Sequence, residues 1–220
     1  MRDKSLRYFL LVSVVLAMPA MAGLWQMGRF HFHVAMNSWH SALLDGTFLV
    51  LTTMANGWVA VAAALLLLLA NWRAALMMGL STGLSALLTQ FLKRAVFDLD
   101  RPSMFLGQMP GLQLVSGLDL HQHFSFPSGH ATAAYSMCAA VAVVIGRRPL
   151  AMALAVLAAL MAFSRVYLSQ HFTEDILAGA AIGCTVSAGV YYLLYKGPLA
   201  ANKGLDRSPV RRIRTSSGRQ

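Results

Sequence analysis

The chain has 220 residues, of which 57% are hydrophobic and 12% charged, and this excludes an ordinary soluble domain, where about a quarter carry charge. Its apolar residues gather in runs near the roughly 20 residues an α-helix needs to cross a hydrocarbon core of about 30 Å, and these runs mostly lack a polar face. The formal net charge of +10 does not describe a nucleic-acid binder, because the basic residues stand at the ends of apolar runs instead of forming a stripe with interleaved aromatics.

Six spans are expected, at about Tyr8–Met27, Thr47–Ala70, Ala74–Leu92, Pro127–Gly146, Leu150–Leu168 and Phe172–Tyr195. The fold class is therefore an all-α, six-transmembrane-helix bundle over residues 1–195, followed by a basic tail, 196–220. Arg2, Lys4 and Arg7 before an apolar run, with Ala20-Met21-Ala22 after it, imitate a secretory signal peptide. The run continues through Leu24 and Trp25 past that cleavage-like site, so residues 1–22 are taken as part of a retained first span. Between the first two spans, Gly28–Gly46 mixes Phe30, Phe32, Trp39, Leu43 and Leu44 with polar residues, the pattern of an amphipathic helix lying along the interface. The long link Asp98–Phe126 is punctuated by Gly107, Pro110, Gly111 and Gly117, which predicts irregular backbone of the kind that carries function. Cys138 and Cys184 both fall inside apolar runs, so no disulfide framework is expected. Gly179, Gly183 and Ser187 form a small-residue ladder along the sixth span, suited to close packing within the bundle. The tail from Lys196, rich in Ser, Gly and Arg, is expected to be disordered.

Orientation follows from the basic residues. An inside N-terminus puts Arg2, Lys4, Arg7, Arg73, Arg147, Arg148, Lys196 and the tail on the cytoplasmic side, and Arg29, Lys93, Arg94, Arg101 and Arg165 on the other. The expected location is a bacterial inner membrane, with both termini cytoplasmic. The minority cations lie mostly at the ends of the third and fifth spans, which marks them as candidates for a site.

Three clusters carry chemistry, all on that non-cytoplasmic side. In the first, Lys93 and Arg94 are followed by Arg101-Pro102; positions 94 and 101 share a face if the helix persists, and converging cations suit an anion. Asp98 and Asp100 are placed to neutralise part of that charge. The second is Ser125-Phe126-Pro127-Ser128-Gly129-His130, where Pro127 suits a first helical turn and Ser128 and Gly129 offer backbone N–H groups to an anion beside His130. In the third, Ser164-Arg165 precedes His171 and Asp175, which lie on one helical face. Asp175 can fix the imidazole tautomer and leave the other ring nitrogen as a nucleophile. A metal site is the rival, with His121 and His123 as further ligands, but several arginines nearby make it the weaker reading.

In this order and spacing, the three clusters resemble the signature of the type-2 phosphatidic acid phosphatase superfamily, which also includes vanadium haloperoxidases. The pattern is a Lys, six residues, then Arg-Pro; next Pro-Ser-Gly-His; finally Ser-Arg, five residues, His, three residues, Asp. The second and third parts match at Pro127–His130 and at Ser164, Arg165, His171 and Asp175. In the first, the spacing to Arg101 lands on Arg94, and Lys93 is one residue too far. Either Arg94 takes the lysine's role or a local bulge lets Lys93 reach in.

The resemblance implies a lipid phosphatase working through a phosphohistidine, with its active site at the periplasmic membrane interface and no metal or cofactor. His171 attacks phosphorus, Asp175 orients it, and His130 donates to the leaving oxygen and then activates water. Lys93 or Arg94, with Arg101, Arg165, Ser128 and Gly129, holds the phosphate. Phosphatidylglycerol phosphate, undecaprenyl diphosphate, phosphatidic acid and the phosphates of lipid A are all open as substrates. A phosphotransferase with the same site and a non-catalytic binding or transport protein are the alternatives. The implied partners are the membrane and its lipid phosphate; the sequence specifies no oligomer.

Overall fold

The computed structural model describes residues 1–209, and among these the backbone forms helices and turns only. The α-helices are α1 (Arg2–Asn37), α2 (Ala42–Met54), α3 (Gly57–Leu68), α4 (Trp72–Phe91), α5 (Gly129–Ile145), α6 (Arg148–Tyr167) and α7 (Thr173–Tyr195). By length and composition α1, α4 with its continuation to Val96, α6 and α7 can each cross a membrane, and the bent pair α2 and α3 is long and apolar enough for a fifth if taken as one span. The shorter α5 is apolar and sits at the centre of the bundle, buried along most of its length against α4, α6 and α7. The all-α membrane bundle is thus present, with the expected second span divided.

That division falls at Ala55–Asn56, where the chain bends by 54°. Asn56 caps the new helix, its side-chain oxygen accepting from the Trp58 N–H at 3.3 Å. The first helix also departs from expectation. It runs well past Met27, turning sharply at Gly28 (φ 70°, ψ 165°), a conformation glycine reaches without steric cost. The turn folds Phe32 back so closely that a Cβ on Gly23 would lie 2.1 Å from its ring. Beyond this turn residues 29–37 continue as helix with one face set against the bundle. They pack inward, with Phe32, His33 and Asn37 buried.

The bundle has two distinct ends. One gathers the start of α1, the turns α3–α4 and α5–α6, and the end of α7, through contacts such as Arg2 over the Tyr195 ring and Arg2 beside Gly146. The other gathers the α1–α2 turn, the end of α4, the start of α5 and the α6–α7 turn. Across the middle, α7 approaches α5 at the glycine ladder. A Cβ on Gly179 would lie 2.6 Å from the Ser128 carbonyl oxygen, and one on Gly183 2.8 Å from that of Thr132. The ladder packs within the bundle, as its spacing suggested.

The segment after α7 is not disordered as far as it is described. Residues 196–209 fold back onto α4, with a 3-10 turn at Lys203–Asp206 and the Trp72 N–H donating to the Arg207 carbonyl at 3.2 Å. Arg73 explains the packing. Its buried guanidinium donates to Asp206 at 2.7 Å, to the carbonyls of Leu199 and Asn202 at 3.0 and 2.8 Å, and to that of Leu194. It thus supplies donors to carbonyls at the end of α7 that the helix itself leaves unpaired. The remainder of the tail, 210–220, lies outside the described residues.

Candidate active site

The candidate side chains all belong to the second end of the bundle, at helix termini or in the turns and loop beside them. α5 begins later than expected: Pro127 precedes the helix, and Ser128 is its cap, with its hydroxyl oxygen accepting from the Ala131 N–H at 3.4 Å. Gly129 and His130 open the first turn, where free N–H groups and the helix dipole favour an anion. α7 begins with Asp175 in its first turn, and the Asp175 carboxylate accepts from the Phe172 N–H at 2.9 Å. Ser128 N–H donates to the Asp175 backbone carbonyl at 3.0 Å, which ties the two helix starts together.

His171 lies in the α6–α7 turn with 1% of its surface exposed, Nδ1 3.2 Å from Asp175 Oδ2. A carboxylate only accepts, so Nδ1 carries the proton and Nε2 keeps its lone pair. The same Oδ2 receives the Ser125 hydroxyl at 2.5 Å, and that hydroxyl stands 3.4 Å from His171 Nδ1. Burial, followed by the positive charges of Arg101, Arg165 and Lys93, pushes the His171 pKa well below its usual value. The imidazole is therefore neutral at pH 7.

The cations converge on this pair. α4 ends in a π-helical turn, Leu92–Val96, which adds one residue to the turn. It carries Lys93 inward, 7% exposed, and leaves Arg94 on the outside. This extra residue accounts for the irregular spacing before Arg101. The helix does not persist to residue 101, so Arg94 and Arg101 do not share a helical face. Arg101 instead stands in extended backbone before a 3-10 turn, Pro102–Gln108. It is buried and donates to the carbonyls of His123, Gln170 and Phe124 at 2.9, 3.0 and 3.4 Å, pinning the long loop to the α6–α7 turn. Arg165, at the end of α6, donates to Thr52 Oγ1 at 2.7 Å and to Gln170 Oε1 at 3.4 Å. Its Nε is buried without a hydrogen-bond partner among the described residues. His130 is half-buried, and the charges bearing on it are those of Arg165, Lys93 and Arg101, with His121.

A pocket of about 390 Å³ opens beside Lys93 and Arg101, lined with them by Gln90, Arg94, His121, Gln122, His123 and Phe124. Asp100 is paired with His123 at 2.7 Å. Ser164, between the motif's other members, spends its hydroxyl on the Met161 carbonyl of its own helix. Among the described residues, no group of three or more His, Cys, Asp or Glu side chains is gathered closely enough to hold a metal ion.

Sequence reasoning missed a supporting layer of neutral polar residues. Asn37 donates from one amide nitrogen toward the Gln113 carbonyl (2.9 Å), the Tyr167 carbonyl (3.0 Å) and Ser169 Oγ (3.1 Å). His33 Nε2 is 3.3 Å from the same Ser169 hydroxyl, and Ser169 holds a left-handed backbone (φ 51°) two residues before His171. Arg29 pairs with Glu174 at 2.9 Å and covers the Phe172 ring at 4.0 Å. The inward arm of α1 thus braces the turn that carries His171. Ser125 and Gln170 had no signal beyond their places in or beside the motifs, and Thr52, far from all three in sequence, had none.

The fold has counterparts in solved structures. The crystal structure of LpxE from Aquifex aeolicus superposes with a TM-score of 0.64 at 23% identity, over 74% of this chain and 93% of that one. The first transmembrane PAP2-type phosphatidylglycerolphosphate phosphatase from Bacillus subtilis gives 0.61 at 20% identity, over 90% and 97%. No curated protein sequence matches significantly. The model of the PAP2 superfamily matches residues 74–198, a stretch that holds all three clusters and more than half of the chain. This chain belongs to the PAP2 superfamily.

Proposed function

We propose that this protein is an integral membrane lipid phosphatase that hydrolyses a phosphate monoester or diphosphate through a phosphohistidine on His171. The observation that carries the reading is the buried, neutral His171 held by Asp175 beside three inward cations, Lys93, Arg101 and Arg165. Phosphoryl transfer asks a protein mainly for positioning and for charge to stabilise the transferring oxygens, and this arrangement supplies both. In the proposed step His171 Nε2 attacks phosphorus, His130 donates a proton to the leaving oxygen, and Asp175 stabilises the imidazolium that develops. His130 then takes a proton from the water that cleaves the N–P bond. Ser128 and the Gly129 N–H complete the phosphate cradle. Three cations serve where other phosphatases employ metal, so the proposed reaction needs none. The site lies at the end of the bundle opposite the basic chain start, which supports a periplasmic site in a bacterial inner membrane with the chain start cytoplasmic.

Purified protein in detergent is expected to release phosphate from at least one of phosphatidylglycerol phosphate, undecaprenyl diphosphate, phosphatidic acid and lipid A, undiminished by excess chelator. Loss in chelator restored by Zn²⁺ would overturn the metal-free step. Transfer to an added lipid with no free phosphate would make the protein a phosphotransferase.

Ser125 enters as a positioning residue. Its hydroxyl satisfies one lone pair of a buried carboxylate, and hydrogen bonds to charged groups contribute about 1.5–3 kcal/mol. Ser125→Ala is expected to lower kcat by roughly 10- to 100-fold with KM little changed, because the loss falls on the nucleophile's orientation. An unchanged kcat would remove Ser125 from the site.

A further inference from the structure

Of the proposed phosphate cradle, Lys93 and Arg101 line the pocket, and the rest of its lining is left unused. Its outer wall is built of Arg94, His121, Gln122 and His123, and no carboxylate lines it. Arg94 is exposed and makes no ion pair or side-chain hydrogen bond among the described residues, unlike the other two arginines of the site. The π-helical turn that sends Lys93 inward puts its neighbour at the mouth of the same pocket. Two successive cations thus reach one cavity at two depths. A volume of about 390 Å³ leaves room for more than one phosphoryl group.

We infer that Arg94, with His121 and Gln122, forms an outer subsite for a second phosphate, which makes a lipid diphosphate the preferred substrate class. The inference rests on the phosphatase reading of the inner site. The terminal phosphoryl group occupies the Lys93–Arg101–Arg165 cradle, and the phosphate attached to the lipid lies against Arg94. His171 Nε2 forms a bond to the terminal phosphorus as the bond to the bridging oxygen breaks. The electron pair goes to that oxygen, which takes the proton from His130, so the lipid departs as a phosphate monoester anion facing the Arg94 guanidinium. Water then cleaves the N–P bond and releases inorganic phosphate. Arg presents a planar fork matched to phosphate oxygens, which a lone lysine at this position would not.

Two measurements test the subsite separately from the reaction. In the first, binding of inorganic pyrophosphate and of phosphate to the purified full chain is compared by thermal shift, in wild type and in the non-turnover His171→Ala background. Pyrophosphate is expected to bind about tenfold tighter than phosphate, and Arg94→Ala to remove most of that difference. Equal binding of the two anions in wild type, or a preference that survives Arg94→Ala, overturns the subsite. In the second, kcat/KM is measured on an isoprenyl diphosphate and the matching isoprenyl monophosphate in detergent micelles. Arg94→Ala is expected to cost the diphosphate about tenfold more than it costs the monophosphate, while Lys93→Ala costs both alike. Equal losses for the two substrates in Arg94→Ala overturn the inference. If wild type prefers pyrophosphate but hydrolyses only lipid monophosphates, the phosphatase reading stands and the diphosphate preference is overturned; if it releases phosphate from no lipid phosphate at all, the phosphatase reading falls while the anion subsite stands.

Discussion

His171→Ala is expected to lower phosphate release by at least about 10³-fold while the purified protein keeps its helical content and thermal midpoint, because loss of a covalent nucleophile removes the step itself. The fold survives for a local reason. Asp175 keeps two of its three partners, the Phe172 N–H at 2.9 Å and the Ser125 hydroxyl at 2.5 Å, so no buried carboxylate is orphaned. Asp175→Asn is expected to cost less, roughly 10²- to 10⁴-fold, since the geometry persists but the imidazolium loses its counter-charge. The pH profile gives the sign independently. The attacking form of His171 is neutral, and its pKa is held well below the usual 6.5 by burial and by Arg101, Arg165 and Lys93. Protonation of His171 therefore removes activity only when pH falls through that lowered value, so kcat/KM should not fall through a limb centred at or above 6.5 that belongs to this residue. Rapid quench in alkaline denaturant, where the N–P bond survives, during turnover of a radiolabelled lipid phosphate should trap label on His171. Turnover by His171→Ala at the wild-type rate on every lipid phosphate would end the proposed mechanism.

How much of this could be read in the chain depends on whether a residue's role is local or distant. The His171–Asp175 contact was legible from its spacing, but not as one helical face: His171 stands in the turn before the Phe172 cap, and only Asp175 belongs to α7. A helix start near Pro127 was legible from the proline, but the helix begins two residues later, with Ser128 as its cap. The glycine ladder was legible because small residues at i, i+4 and i+8 have one obvious use in a membrane bundle. The choice between Lys93 and Arg94 was not, because a π turn has no reliable residue signature; only the one-residue mismatch to Arg101 hinted at it. The broken second span had a signal that the Leu- and Ala-rich surroundings outweighed: Asn56-Gly57 is a turn dipeptide. Asn37 and Thr52 were invisible. They are neutral residues whose partners lie 130 and 113 positions away, as Tyr167 and Arg165, and no local pattern encodes such pairings. The inward fold of α1 follows from Gly28, but the ring that Gly23 accommodates lies beyond a bend that propensity alone does not place.

The close approach of α7 to α5 makes the second large prediction, because the same contact that packs the bundle sets the active site. The would-be Cβ of Gly179 lies 2.6 Å from the Ser128 carbonyl oxygen, 3.0 Å from the Ala131 Cβ and 3.1 Å from the Thr132 N. Two of these are backbone atoms of the first turn of α5, which cannot rotate away as a side chain could. Gly179→Val must therefore part the two helix starts, and overpacking of this kind costs about 1–3 kcal/mol. The chemical loss should be larger than the stability loss suggests. Ser128 N–H donates to the Asp175 carbonyl at 3.0 Å, so moving α5 carries Ser128, Gly129 and His130 away from His171 and Asp175. A displacement of about 1 Å at a reacting centre can cost 10²-fold, and Gly179→Val is expected to lose at least that in kcat while remaining a folded membrane protein. Gly189→Ala, farther along the same helix with no atom within 4 Å of its would-be Cβ, should keep both activity and thermal midpoint. Should Gly179→Val fold and turn over like wild type, the spacing of α5 and α7 would not be what aligns His130 with His171.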